Sequence, residues 1–122
     1  MTVTWNDTSP IYLQLKERVV AMILDGLLGP GDALPSVRQV AADYQLNPIT
    51  VSRAYQELVD ETLVEKRRGL GMYVTEGARE KLLASERERF LKEEWPAVLE
   101  RIQRLGLDME KLVKQSTQRE QA

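Results

Sequence analysis

Three groups of side chains in this sequence could do chemistry, and that chemistry is recognition rather than bond-making. Ile49, Thr50, Ser52 and Arg53 follow Asn47-Pro48, Lys66, Arg67 and Arg68 run into Gly69-Leu70-Gly71, and Arg38 stands just after Ser36. Hydroxyls can bond phosphates or base edges, and an Ile side chain can touch a thymine methyl. A guanidinium can grip guanine O6 and N7 together, a contact worth about 1–3 kcal/mol of discrimination. An exposed cationic loop suits a narrow minor groove, whose potential attracts Arg. Arg38 gains nothing from the dipole at a helix start, so a phosphate beside the groove suits it. Each group has a plainer alternative. Thr50 and Ser52 could be ordinary exposed residues, with Arg53 paired to Glu57 one turn on. Arg38 could be bridged to a carboxylate, and a cationic hairpin tip can simply protect a strand edge.

The elements around these residues decide between the readings. Ser36, with Gln39 three residues later, is a capping-box start for a helix whose inward residues are Val37, Val40, Ala41 and Tyr44. Gln45-Leu46-Asn47 makes a tight turn, with Leu46 plugging the angle. Asn47 caps the next helix and Pro48 takes its first position. Val51, Ala54, Tyr55 and Leu58 form that helix's inward stripe, leaving Ile49, Thr50, Ser52, Arg53 and Gln56 outside or on the flank. Strands are expected at about Leu63–Arg67 and Met72–Thr75, with Gly69 and Gly71 supplying the angles of a tight tip. An earlier helix is expected to open at Ser9-Pro10, with Ser9 as cap, and to turn Ile11, Leu15, Val19, Met22 and Ile23 inward. Gly26 and Gly29-Pro30-Gly31 end it, and Ala33-Leu34 should be extended, because the residue before Pro35 avoids helical angles. Helix, turn, helix, hairpin is the order of a winged helix-turn-helix, a mainly α fold with a small β-hairpin. That fold brings a helix end and a cationic loop to one side, where adjacent grooves of double-stranded DNA can be entered.

After Glu76-Gly77 the composition shifts to Glu, Arg, Lys and Leu. Leu91, Trp95, Val98, Ile102 and Leu105 are spaced 4-3-4-3, a heptad-like seam that Leu83 and Phe90 extend backwards. A lone helix would expose Phe90, Trp95 and several Leu, so a homodimer interface is the economical reading; an effector pocket lined by Phe90 and Trp95 is the alternative. Pro96 should kink or restart the helix, and Gly106 should end it. A short helix over Leu107–Val113 follows, with Asp108 near its start. The expected organisation is residues 1–76 as DNA-binding domain, 77–115 as helical dimerisation region and 116–122 as flexible tail.

Composition narrows the function further. The chain has no cysteine and no histidine. Disulfides, thiolate metal sites and Cys–His or Ser–His catalysis are therefore excluded. No Gly-rich phosphate loop, metal cluster or acid–base pair stands out, so the reading assigns no catalytic residue, no metal, no cofactor and no enzymatic activity. The first ten residues carry Asp7 and no Lys or Arg, unlike a signal peptide, and no apolar run approaches a bilayer span. A cytoplasmic protein with no membrane partner is expected. The formal charge is −2, and residues 1–76 hold seven Lys/Arg against ten Asp/Glu, so phosphate binding must be local. Asp25, Asp32, Glu57, Asp60 and Glu61 would need to lie on other faces. Few cationic contacts per subunit also imply that two copies act together.

The stretch LPSVRQVAADYQLNPITVSRAYQELVDETLVEKRRGLGMYV, with Gly29-Pro30-Gly31-Asp32 before it, resembles the GntR family of bacterial transcription regulators over about residues 9 to 75. The Asn-Pro-x-Thr-Val-Ser-Arg-Ala-Tyr form looks like the YtrA subfamily, and also like the DNA-binding part of MocR-type proteins. The latter need hundreds more residues, so length selects the YtrA subfamily, whose short two-helix dimerisation region is similar to residues 77–115. The resemblance implies a homodimeric repressor of an operon, in this subfamily often one encoding an ABC transporter, with possible control by a small-molecule effector. It places Arg38, Asn47, Thr50, Ser52, Arg53, Arg68 and Gly69 where relatives contact DNA. Pro48 stands where many members have a base-reading Arg, Ile49 where a polar residue is common, and Thr62 where Gly usually follows the third helix. A winged-helix adaptor that binds protein without reading DNA sequence is the competing reading.

Overall fold

In the computed structural model, residues 5–121 are described, with side chains through residue 117. Residues 1–4, the start of the segment weighed as a signal peptide, and Ala122, the end of the expected tail, lie outside them. The chain forms two compact units, one through Leu83 and one from Ala84.

The first unit begins with helix α1, Ile11–Leu24. Ser9 does not cap it. Pro10 is the capping residue, with an extended ψ of 146° and no side-chain bond, and its carbonyl accepts from Leu13 and Gln14. Gln14 fixes this start. Its Nε2 donates to the carbonyls of Ser9 at 2.8 Å and Asn6 at 2.9 Å, and its Oε1 accepts from the Asn6 N–H at 3.0 Å. A fully bonded amide can be buried without penalty, so Gln14 joins Leu15, Val19 and Ile23 inside. Ile11 and Met22, expected inward, sit at the rim with 38% and 37% exposure.

Helices α2, Val37–Tyr44, and α3, Pro48–Asp60, follow the expected pattern. Ser36 Oγ accepts from the Gln39 N–H at 3.1 Å, and Asn47 Oδ1 accepts from the Ile49 N–H at 2.9 Å. Val40 and Ala41 of α2 meet Val51, Ala54, Tyr55 and Leu58 of α3 in the core. The turn between the helices needs a left-handed residue, and Gln45 supplies it at φ 54°. Thr62 does the same after α3, at φ 60°, a conformation that disfavours a β-branched residue. Local bonds hold it: Thr62 Oγ1 donates to the Glu61 carbonyl at 2.6 Å, Lys81 Nζ donates to Thr62 Oγ1, and the Thr62 carbonyl accepts from Thr75 Oγ1 at 2.8 Å.

Strands β1, Val64–Arg67, and β2, Gly71–Val74, form an antiparallel hairpin in which Val64 faces Val74 and Arg67 faces Gly71. Its tip turns through Gly69 and Gly71 at φ 76° and 108°. The extended stretch before Pro35 pairs with the other edge of β2. Leu34 N–H donates to the Met72 carbonyl and Val74 N–H to the Asp32 carbonyl, both at 2.9 Å. The hairpin is thereby anchored along its base while its tip stays free.

Helix α4, Ala78–Arg89, contributes Ala78 and Leu82 to the same core. Two residues beyond the boundary expected at residues 76 and 77 thus pack with the first compact unit, which runs through Leu83. Pro96 does not break the helix that follows. A turn of π-helix, Phe90–Glu94, joins α4 to α5, Trp95–Arg104, and the Trp95 N–H donates to the Phe90 carbonyl. Widening the turn is one way to accommodate a proline that cannot donate and would crowd the preceding turn. Gly106, at φ 68°, ends α5. Asp108 Oδ1 then accepts from the Glu110 N–H at 2.9 Å, and α6 runs from Met109 to Gln121. It continues through the stretch expected as a flexible tail, because its residues are good helix formers with no Gly or Pro, although the apolar pattern stops at Val113.

Candidate nucleic-acid interface

The start of α3, the start of α2 and the hairpin carry the candidate site. Asn47 and Pro48 begin α3 where its inward stripe can meet α2, so the remaining side of its first turns is left to solvent. Ile49 is 76% exposed there. Ser52 and Arg53 are exposed and Thr50 is half-buried. Arg38 is exposed in the first turn of α2. Between α2, α3 and the hairpin lies an open cleft of about 380 Å³, bordered by Ser36, Ser52, Gln56, Lys66 and Leu70, with Tyr55 among its walls. The Tyr55 hydroxyl donates to the Pro35 carbonyl at 2.7 Å. Burial, with Tyr44 adding to it, pushes that hydroxyl up to about 12.

The hairpin cations differ. Arg67 donates through Nε and Nη2 to Glu65 Oε1 at 3.1 and 3.0 Å, and its Cζ lies 4.3 Å from the Tyr73 ring centroid. Its charge is already matched on its own strand face. Strand alternation turns Lys66 to the opposite face, toward Ser52 and Gln56. Among the described residues no carboxylate pairs with Arg38, Lys66 or Arg68.

Four of the acids that would repel a phosphate have partners of their own. Lys16 of α1 bridges Glu57 at 3.3 Å and Glu61 at 2.9 Å. Burial opposes the Lys16 charge, but the Glu61 and Glu57 carboxylates outweigh it and raise its pKa above 10.5. Asp60 accepts from Gln56 Nε2 at 2.9 Å, and Asp32 accepts from the Gly29 N–H at 2.7 Å. The plain alternative of an Arg53–Glu57 pair is thus replaced. Glu57 faces Lys16, and Arg53 places its Cζ 3.9 Å from the Tyr12 ring centroid. Tyr12 had no signal in the sequence beyond its place beside the apolar face of α1, because its partner lies on another helix.

Residues 11–74 match the family described as "Bacterial regulatory proteins, gntR family". The chain belongs to this family, and is with its members a DNA-binding transcriptional regulator rather than an enzyme. It is 37% identical over 105 residues to the HTH-type transcriptional repressor YtrA of Bacillus subtilis (strain 168), covering 86% of this chain and 80% of that protein. Its fold is similar to that of a GntR family transcriptional regulator from Listeria monocytogenes, with a TM-score of 0.76 and 29% identity over 93% of this chain and 98% of the other. It is also similar to YtrA from Sulfolobus acidocaldarius, a GntR-family transcription factor, with a TM-score of 0.58 and 31% identity over 74% and 95% of the two chains. No helix among the described residues is long and apolar enough to cross a membrane.

Proposed function

We propose that this chain is a cytoplasmic repressor that binds double-stranded operator DNA as a homodimer. In this reading the first turns of α3 enter the major groove, with Thr50, Ser52 and Arg53 meeting bases or phosphates and Ile49 meeting a thymine methyl. Arg38, Asn47 and Gly69 lie against the backbone, and the tip at Lys66, Arg67 and Arg68 reaches the neighbouring minor groove. Arg68 and Lys66 carry the wing's charge, since Arg67 is matched by Glu65. The observation that carries the reading is electrostatic. A chain of net charge −2 leaves Arg38, Lys66 and Arg68 exposed and, among the described residues, without ion pairs, while Glu57 and Glu61 are held by Lys16.

Dimerisation is assigned to the helical region after the winged helix. Leu91 and Leu105 are 61% and 59% exposed, with Phe90 and Val98 exposed and Trp95 and Ile102 half-buried beside them. A continuous apolar seam of this kind is unusual on a monomer. Two reading helices related by a twofold axis would engage half-sites about one helical turn, ~34 Å, apart, so the operator should be an inverted repeat. An effector, implied by the family resemblance, would act by changing that spacing. Its sign would be a metabolite that alters operator affinity.

Selection of bound duplexes from a randomised pool, followed by titration at moderate salt, tests the proposal. An inverted-repeat consensus whose affinity falls with salt is expected. Binding without sequence preference would favour the protein-interaction adaptor instead.

A further inference from the structure

Arg53 is the one cation on the exposed flank of α3, and it does not stand free. Its Cζ lies 3.9 Å from the centroid of the Tyr12 ring on α1. Tyr12 is half-buried against the core, so the ring is fixed while the guanidinium is exposed. The carboxylate that would otherwise compete for Arg53, Glu57, is drawn to Lys16 at 3.3 Å. Among the described residues, the Tyr12 ring is therefore the group that orients Arg53.

We infer that Tyr12 is a positioning residue that sets the rotamer from which Arg53 reads its base pair. The inference rests on the assignment of Arg53 as a base reader. With Cζ over the ring at 3.9 Å, a guanidinium lying flat on that ring keeps its in-plane N–H groups open. Those are the donors that form a two-pronged contact with guanine O6 and N7. A guanidinium already held on a ring loses less freedom on entering the groove than one that samples solvent. Specificity at one base pair thus depends on a residue of α1 that itself need not touch a base.

The experiment uses the full chain and duplexes selected by the wild-type protein from a randomised pool. Arg53→Ala first identifies the base pair at which preference is lost. Tyr12→Leu, which keeps apolar bulk but no ring, is expected to reduce preference at that same base pair by about two- to fivefold, the range an exposed cation–π contact supports. Preference elsewhere in the site should not change. Tyr12→Phe keeps the ring and should retain the wild-type pattern. In the Arg53→Ala background, Tyr12→Leu should add nothing. Equal effects of Tyr12→Leu with and without Arg53, or a loss spread over all base pairs, would overturn the inference by making Tyr12 a packing residue only. If Arg53→Ala itself alters no base preference, the assignment of Arg53 as reader fails first, a result distinct from failure of Tyr12.

Discussion

The two units of the chain use apolar residues in opposite ways. Through Leu83 the apolar side chains converge: Val51, Ala54 and Leu58 are fully enclosed, and Tyr55 and Ile23 nearly so. From Ala84 onward, no described residue is buried, although Phe90, Leu91, Val98, Leu105 and Val113 are all large and apolar. The charged residues differ in the same sense. In the first unit Lys16 ties α1 to α3 through Glu57 and Glu61. In the second the ion pairs join near neighbours along one helix, as in Lys92–Glu88 and Arg104–Glu100, and such exposed pairs contribute little. The first unit is held by its own interior. The second leaves its large apolar side chains at its surface.

Separating the units is expected to have the largest effect. Ala78 and Leu82 belong to the first core, so the cut belongs after Arg89 rather than after the hairpin. The truncated chain should remain folded and become monomeric, with operator affinity reduced about a hundredfold or more through loss of the linked second contact. Sedimentation and DNA titration would show this, and a truncated chain that still dimerises would dissolve the distinction. Next, Leu58→Ala should cost the first unit about 2–5 kcal/mol in denaturant unfolding. Leu91→Ala, at a position 61% exposed, should weaken dimerisation and leave the monomer's stability nearly unchanged.

Alkaline pH should act on the first unit by a somewhat smaller amount. The Tyr55 hydroxyl is raised from 10.0 to about 12 by burial. The unfolded chain therefore loses this proton before the folded one does. The associated stability is present below pH 10 and is lost as pH rises towards 12, by about 2 kcal/mol. Lys16 works in the same direction, because a raised ammonium loses its stabilising pairs as pH climbs through its folded pKa. Melting temperature followed from pH 9 to 12 should fall, and fall less in Tyr55→Phe. The smallest expected effect is at Thr62. Its φ of 60° favours Gly, so Thr62→Gly should be neutral or stabilising by up to about 1 kcal/mol, relief of strain being offset by the lost hydroxyl bonds. A clear drop in melting temperature would show that those bonds outweigh the strain.

The parts legible in the sequence were those fixed by neighbours along the chain. The stripe Val51, Ala54, Tyr55 and Leu58 follows helical period, the Ser36 and Asn47 caps act within one turn, and Gly69 and Gly71 mark the tip; all are observed. The membership of the family was legible for the same reason, since its motif is contiguous. Features made by distant residues were not. Arg53 has Glu57 one turn away, yet a lysine on another helix takes Glu57 and a tyrosine takes Arg53. Gln14 is buried only because the preceding backbone satisfies its amide. At Pro96 the sequence signalled a disturbance without saying which, and the widened turn at Phe90–Glu94 accommodates it without ending the helix.

The most direct test of the account is DNA titration with the Arg53→Ala/Arg68→Ala double variant, on the duplex selected by the wild-type chain and at two salt concentrations. The account predicts at least a tenfold loss of affinity at the lower salt and a shallower salt dependence, because one base contact and one cationic contact are gone. Affinity and salt dependence equal to those of the wild type would contradict it.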